Sequence, residues 1–191
     1  VLSGARIRRM LADEVGLGKT LEAGAILKFL SNLDPTSTSI IVCPSNLMNQ
    51  WRDELTKHFD LDYWKWVSSE NRFESPRGES WHCRSGLPFE EDRPNRIIIS
   101  RNLLATEKYR NYISQLEDFS VDTLVFDESH AARISRDLSG KLVRTKTWMV
   151  AEALSSRSKN CLLLTATPMQ LDVSELYGQL TLLGLPESWD K

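Results

Sequence analysis

The chain has 191 residues, 41% hydrophobic and 26% charged, enough apolar material at this length to bury a core of its own, which excludes the disordered and fibrous classes. Its 24 Lys and Arg nearly balance 26 Asp and Glu, leaving a net charge of −2; no overall positive field draws it to nucleic acid, so any such contact must rest on a few residues and backbone amides. Three cysteines without a Cys-x-x-Cys pair exclude a disulfide framework and a zinc site, and with no apolar stretch long enough to cross a bilayer and no signal-peptide pattern, an intracellular protein without a membrane partner is expected.

The first apolar run, residues 9–12, leads into Asp13, Glu14, Val15, Gly16, Leu17, Gly18, Lys19 and Thr20 and then into a helical pattern. That is the setting in which a phosphate-binding loop works. Glycines let the backbone approach a triphosphate, Lys19 reaches its β- and γ-phosphates, and the Thr20 hydroxyl suits Mg²⁺. Asp13 stands where the general pattern has its first glycine, so a Gly-rich turn with a solvated lysine stays open as the plainer alternative.

The next run, residues 39–43, is followed by Pro44 and Ser45 and by a predicted helix over 45–59. Leu47, Trp51, Leu55 and Phe59 recur every four residues, which places them on one side, packed on a sheet as core; Ser45 is the predicted N-cap. Cys43 here, and Cys161 later, sit in apolar runs and are expected to be small core residues. A further strand is possible at 63–67. Residues 68–95 then break the order: they are rich in Gly, Pro, Ser and charge, and they mix arginines and acids with Trp81 and Phe89. An irregular, solvated insertion is expected there, with Cys83 in a polar loop, and a basic-aromatic nucleic-acid patch is the competing reading.

Residues 96–100 form another apolar run, ending in Ser100 and Arg101. Residues 123–126 end in the adjacent carboxylates Asp127 and Glu128, followed by Ser129 and His130. Residues 161–165 lead through Thr165 and Thr167 to Pro168, and a last helix is predicted from Leu171, with Asp172 as cap candidate and Leu176, Leu180 and Leu183 buried. Continuous apolar runs alternating with helical patterns imply βαβ units and a mostly parallel sheet covered on both faces.

In such a sheet ligands sit beyond the carboxyl ends of the strands, where both strong motifs fall. Asp127 can approach, through water, the Mg²⁺ held by Thr20, while Glu128 faces an attacking water as general base. The alternative is that the two carboxylates only cap a helix or face solvent. The hydroxyls of Thr165 and Thr167 can hydrogen-bond His130 and sense a γ-phosphate.

Residues 13–24 (Asp-Glu-Val-Gly-Leu-Gly-Lys-Thr-Leu-Glu-Ala-Gly), 41–51 (Ile-Val-Cys-Pro-Ser-Asn-Leu-Met-Asn-Gln-Trp), 127–130 (Asp-Glu-Ser-His) and 164–170 (Leu-Thr-Ala-Thr-Pro-Met-Gln) resemble helicase motifs I, Ia, II and III. Their wording is similar to the Swi/Snf-type branch of helicase superfamily two, and within it to the prokaryotic RapA-like group, whose own loop variant accounts for Asp13. The resemblance implies a RecA-like P-loop NTPase lobe: an α/β fold with helices on both faces of the sheet. It also implies an ATP- and Mg²⁺-using, double-stranded-DNA-dependent ATPase that translocates along DNA and displaces bound proteins.

By the same resemblance, Lys19 and Thr20 bind triphosphate and metal. Asp127 and Glu128 serve metal and water, and His130, Thr165 and Thr167 couple hydrolysis to DNA. Pro44, Ser45, Ser100 and Arg101 touch the tracked strand, although a serine after a strand is as readily a helix cap. No adenine-recognition segment precedes Arg9, and nothing after Thr167 resembles motifs IV to VI. The expectation is therefore that residues 1–191 are the N-terminal lobe of a larger enzyme, partnered by a second RecA-like lobe of the same chain, by duplex DNA and by a protein target on it. The expected place is the prokaryotic cytoplasm, at the nucleoid, with the nucleus as alternative. A superfamily-two RNA helicase, a restriction or phage-defence motor subunit, and a non-catalytic nucleotide-dependent interaction module are the rival readings.

Overall fold

A computed structural model describes residues 6–13, 18–137, 141–167 and 173–185. Its centre is an eight-stranded sheet of β1 (Arg8–Leu11), β2 (Ser39–Cys43), β3 (Trp64–Val67), β4 (Arg72–Glu74), β5 (Ser80–His82), β6 (Arg96–Ser100), β7 (Val121–Phe126) and β10 (Ser158–Leu164); β8 (Ile134–Arg136) and β9 (Leu142–Arg144) form a separate hairpin. The order is β1-β10-β7-β2-β6-β3-β4-β5, parallel from β1 to β3 and antiparallel from β3 through β4 to β5. The fold is α/β with a mostly parallel sheet, as expected.

Why the strands read as unbroken apolar runs is visible in their neighbours, because successive side chains point to opposite faces and both faces are covered. Ile40, Val42, Ile97, Ile99, Leu124, Phe126, Cys161 and Leu163 face one side. Ile41, Cys43, Ile98, Val125, Leu162 and Leu164 face the other, where Ala23 and Leu27 of α1 (Lys19–Leu33) and Trp51 and Leu55 of α2 (Met48–Phe59) pack. The first face is covered by α3 (Arg101–Leu104), α4 (Glu107–Ser114), α5 (Lys146–Ser155) and α6 (Val173–Leu182), through Leu104, Tyr109, Ile113, Trp148, Val150, Leu154 and Leu182.

Four expectations change in the folded chain. Residues 68–95 hold the β4–β5 hairpin, which extends the sheet, and Phe73, Cys83 and Phe89 are buried with Trp66 in the core. Phe73 packs 4.8 Å from the Trp66 ring, and Cys83 is buried rather than in a polar loop. Ser45 caps nothing: residues 45–47 form a single 3₁₀ turn, α2 starts at Met48, and neither has a side-chain cap. Leu176 and Leu180 of α6 are only half-buried. That helix instead buries Ser174, Glu175, Gly178, Gln179 and Leu182. The reason is a polar network: Ser129 Oγ donates to Gln179 Oε1 at 2.8 Å, Arg133 pairs with Glu175 at 3.5 Å, and Trp148 Nε1 donates to the Gly178 carbonyl at 2.9 Å. Leu171, the cap candidate Asp172 and Pro168 lie outside the described residues.

Candidate functional site

Parallel pairing brings the carboxyl ends of the strands to one edge. Leu11 of β1 lies beside Leu164 of β10, and Phe126 of β7 lies between Leu163 of β10 and Val42 of β2. The ladder continues one residue past the strands: Thr165 N donates to Leu11 O at 3.0 Å and Asp127 N to Val42 O at 2.8 Å. Asp127 and Thr165 therefore leave the sheet at the same edge, where Ala12 and Asp13 follow β1.

Glu14, Val15, Gly16 and Leu17 lie outside the described residues. Gly18 closes the loop with φ 88°, a left-handed conformation that glycine adopts without cost and that opens α1. Among the described residues no side chain caps this end of α1, and the positive end of its dipole suits an anion there. Lys19 Nζ is held by the Asp13 carbonyl at 2.7 Å. Lys19, Thr20, Asp127 and Glu128 share a cavity of about 890 Å³ with Trp51.

Asp127 is only 7% exposed. Burial pushes its carboxyl above the usual range, while the hydrogen bonds from Trp51 and from the Glu128 amide pull it back. Both bonds are 2.8 Å: Trp51 Nε1 to Oδ2 and Glu128 N to Oδ1. Glu128 itself has φ 50°, a left-handed backbone that costs a non-glycine residue about 1–2 kcal/mol. Its carbonyl receives Arg101 Nη1 at 3.0 Å and its Oε2 lies 3.0 Å from His130 Nδ1. The same nitrogen is 3.3 Å from Thr165 Oγ1, which accepts from Thr167 N at 3.1 Å. His130 thus bridges the ends of β7 and β10.

The residues expected to touch DNA lie at the ends of two paired strands, β2 and β6, where Cys43 and Ser100 are partners. Ser45 is exposed and Pro44 half-buried. Ser100 is buried and N-caps α3, its Oγ accepting from Leu103 N at 3.5 Å. Arg101 is half-buried, its guanidinium turned to the Glu128 carbonyl; burial draws it below the usual arginine value, against the pull of Glu128 and Asp127.

The donor set fits a phosphate with a hard divalent ion: one ammonium, one hydroxyl, one buried carboxylate and an uncapped helix end on one cavity. Among the described residues no three metal-ligating side chains cluster. Mg²⁺ needs no such cluster, since it keeps several waters and takes one or two carboxylates with phosphate oxygens.

Residues 5–191 match the SNF2-related domain. The chain belongs to this family. It is 33% identical over 183 residues to the RNA polymerase-associated protein RapA of Vibrio vulnificus, covering 96% of this chain and 17% of that protein. It is 34% identical over 176 residues to RapA of Yersinia pestis, covering 92% and 16%. The chain thus spans about a sixth of the length of these relatives. The SWI2/SNF2 ATPase core of Sulfolobus solfataricus in complex with dsDNA has the same fold, with TM-score 0.62 and 22% identity over 93% of this chain and 31% of that one. So does the Hef helicase domain of Pyrococcus furiosus, with TM-score 0.60 and 17% identity over 93% and 33%. The fold of the SNF2-related domain here is therefore that of a RecA-like lobe.

One residue of the site in this SNF2-related domain was not read as such from sequence. Trp51 belongs to the apolar row of α2 and is buried as that row requires, but its indole N–H reaches Asp127. The available signal is that a buried Trp must find an acceptor for this group.

Proposed function

We propose that this SNF2-related domain is the ATP-binding lobe of a double-stranded-DNA-dependent ATPase that moves along duplex DNA and displaces or remodels proteins bound to it. The observation that carries the reading is the convergence of Lys19, Thr20, Asp127 and Glu128 on one cavity at the uncapped start of α1. When bound, Mg²⁺ with ATP supplies a polarised terminal phosphate. Lys19 and the first-turn amides of α1 hold the phosphates, and Thr20 and Asp127 hold the ion. Glu128 accepts the proton of the attacking water on a carboxylate that His130 orients from one side. His130, Thr165 and Thr167 link that carboxylate to β10.

Support for the DNA and protein partners is by likeness: the relatives are named for association with RNA polymerase, and a structural neighbour was solved with dsDNA. A second RecA-like lobe completes the site in this reading, and a bacterial cytoplasmic location follows from the same relatives. All four site residues are intact, which a non-catalytic interaction module has no need to keep.

Two measurements test the proposal. Calorimetry should show Mg·ADP binding that Lys19→Ala abolishes; equal binding by the variant removes the phosphate-loop assignment. Turnover of the full-length protein should rise with duplex DNA, vanish in Glu128→Gln, and drive displacement of a third strand without opening the duplex. Preferential stimulation by single-stranded RNA, or efficient unwinding of a fork, would assign the protein to the helicase readings instead.

A further inference from the structure

The segment between Glu128 and α5 carries a charge that the nucleotide site does not use. Residues 131–148 contain Arg133, Arg136, Lys141, Arg144 and Lys146 against Asp137 alone, a local balance of +4 in a chain of net charge −2. A run of charge is usually a solvated face, so the question is whether the fold organises it.

It does so in three ways. The base of the hairpin is anchored: Ile134 is buried beneath α6, where a Cβ on Gly178 would come within 2.9 Å of Ile134 Cγ1, and Arg133 is paired with Glu175. The outer strand is presented: β9 is exposed along its whole length, as are Lys141 and Lys146 on either side of it. One cation is already fixed: the Arg144 guanidinium lies 4.6 Å from the centroid of the buried Trp148 ring, which is itself tied to α6 through the Gly178 carbonyl. Stacking occupies a face of the guanidinium and leaves its in-plane N–H donors available.

Elsewhere on the surface, Arg72 is paired with Glu70, Arg77 with Asp62, and Arg52 and Lys65 with Glu74. Lys141, Arg144 and Lys146 enter no ion pair among the described residues. The hairpin follows the carboxyl end of β7, the same edge of the sheet on which Ser45 and Arg101 follow β2 and β6.

We infer that the β8–β9 hairpin is a phosphate-backbone contact for duplex DNA, made by Lys141, Arg144 and Lys146. The inference rests on the duplex-DNA motor reading above. Residues 131–148 contain no Asn or Gln to read base edges, so the contact is sequence-tolerant and electrostatic, and each phosphate it neutralises releases condensed counterions. Leu142 and Val143, 44% and 45% exposed between the cations, would equally suit an acidic protein, which the test must separate.

The experiment uses the full-length protein and fluorescence anisotropy on a mixed-sequence DNA duplex across a salt series. The variant Lys141→Gln/Arg144→Gln/Lys146→Gln should weaken duplex binding on the order of tenfold or more at low salt and flatten the slope of log K against log salt by about 2 to 3, near 0.9 for each lost phosphate contact. Lys146→Gln alone, which leaves the Arg144–Trp148 stack in place, should flatten it by about 0.9. Lys159→Gln, one charge removed at the amino-terminal end of β10 on the opposite edge, should leave it unchanged. Thermal unfolding checks that each variant is folded, and the single variant keeps the test open if the triple is not. If the native protein binds duplex DNA and the variants bind it with the same affinity and slope, the hairpin assignment is wrong and the motor reading stands. No duplex binding by the native protein removes both. Loss of binding to poly-glutamate or to single-stranded RNA with duplex binding intact overturns the inference in favour of another partner.

Discussion

Removing the indole N–H of Trp51 would strip a buried carboxylate of one of the two N–H groups it receives. Asp127 takes one bond from Trp51 and one from its own neighbour's amide, and a buried acceptor left unmatched costs about 1–3 kcal/mol. Trp51→Phe keeps most of the ring volume, so the expected loss of stability is of that size and not the larger loss of a cavity. Because Trp51 and Asp127 line one cavity with Lys19 and Thr20, the same variant should weaken Mg²⁺-dependent nucleotide binding more than metal-free binding. Titration with and without Mg²⁺, alongside denaturant unfolding, checks both; unchanged values in both would show that this hydrogen bond does not orient Asp127. At this scale Asp127, Glu128 and Lys19 were legible because motif residues are contiguous in sequence, whereas Trp51 was hidden in a row whose spacing spoke only of packing.

Helices show where local pattern and tertiary demand part company. In α1, Gly24 sits against α2, and a Cβ there would fall 2.3 Å from Phe59 Cε2. Alanine is the better helix former by about 1 kcal/mol, yet overpacking of this kind costs about 1–3 kcal/mol. Gly24→Ala should therefore destabilise the native protein, and should turn neutral or stabilising when Phe59→Leu makes room. A double-mutant cycle by chemical denaturation reads the coupling, and additive effects would mean that α1 and α2 do not meet here. In α2 the apolar row and the buried face coincide, so the sequence located it to within the 3₁₀ turn at its start. In α6 they do not. The leucine row predicted one face, but Gln179, Glu175 and Gly178 turn inward because Ser129, Arg133 and Ile134 wait there.

Across the whole molecule, one sheet divides the core into two apolar clusters, and each central strand contributes alternate residues to both. Loosening one face must therefore disturb the strands that serve the other. Leu55 of α2 is fully buried against the sheet, and Leu55→Ala is expected to cost about 2–5 kcal/mol. The transition should stay single, with tryptophan fluorescence and far-ultraviolet circular dichroism giving the same midpoint. Separate midpoints would show two independently folding layers.

Taken alone, the sequence determined the parallel α/β architecture, the central strands 39–43 and 96–100 to the residue, and the order in which lysine, carboxylates and hydroxyls meet at the strand ends. These are local facts: a strand buried on both faces has to be apolar throughout, and a turn from strand to functional loop is written in consecutive residues. Tertiary structure alone decided the partners of Trp51, the register of α6, the β4–β5 hairpin and the placing of Arg144 over Trp148. Trp51 meets Asp127 across 76 positions and Ser129 meets Gln179 across 50. The strands β4 and β5 are three residues each and gain their order from the pairing of β4 with β3 and of β5 with β4, and from Phe73 packing on Trp66. Periodicity reports which face of an element is apolar; which polar group that face will find opposite it is settled only when distant segments pack.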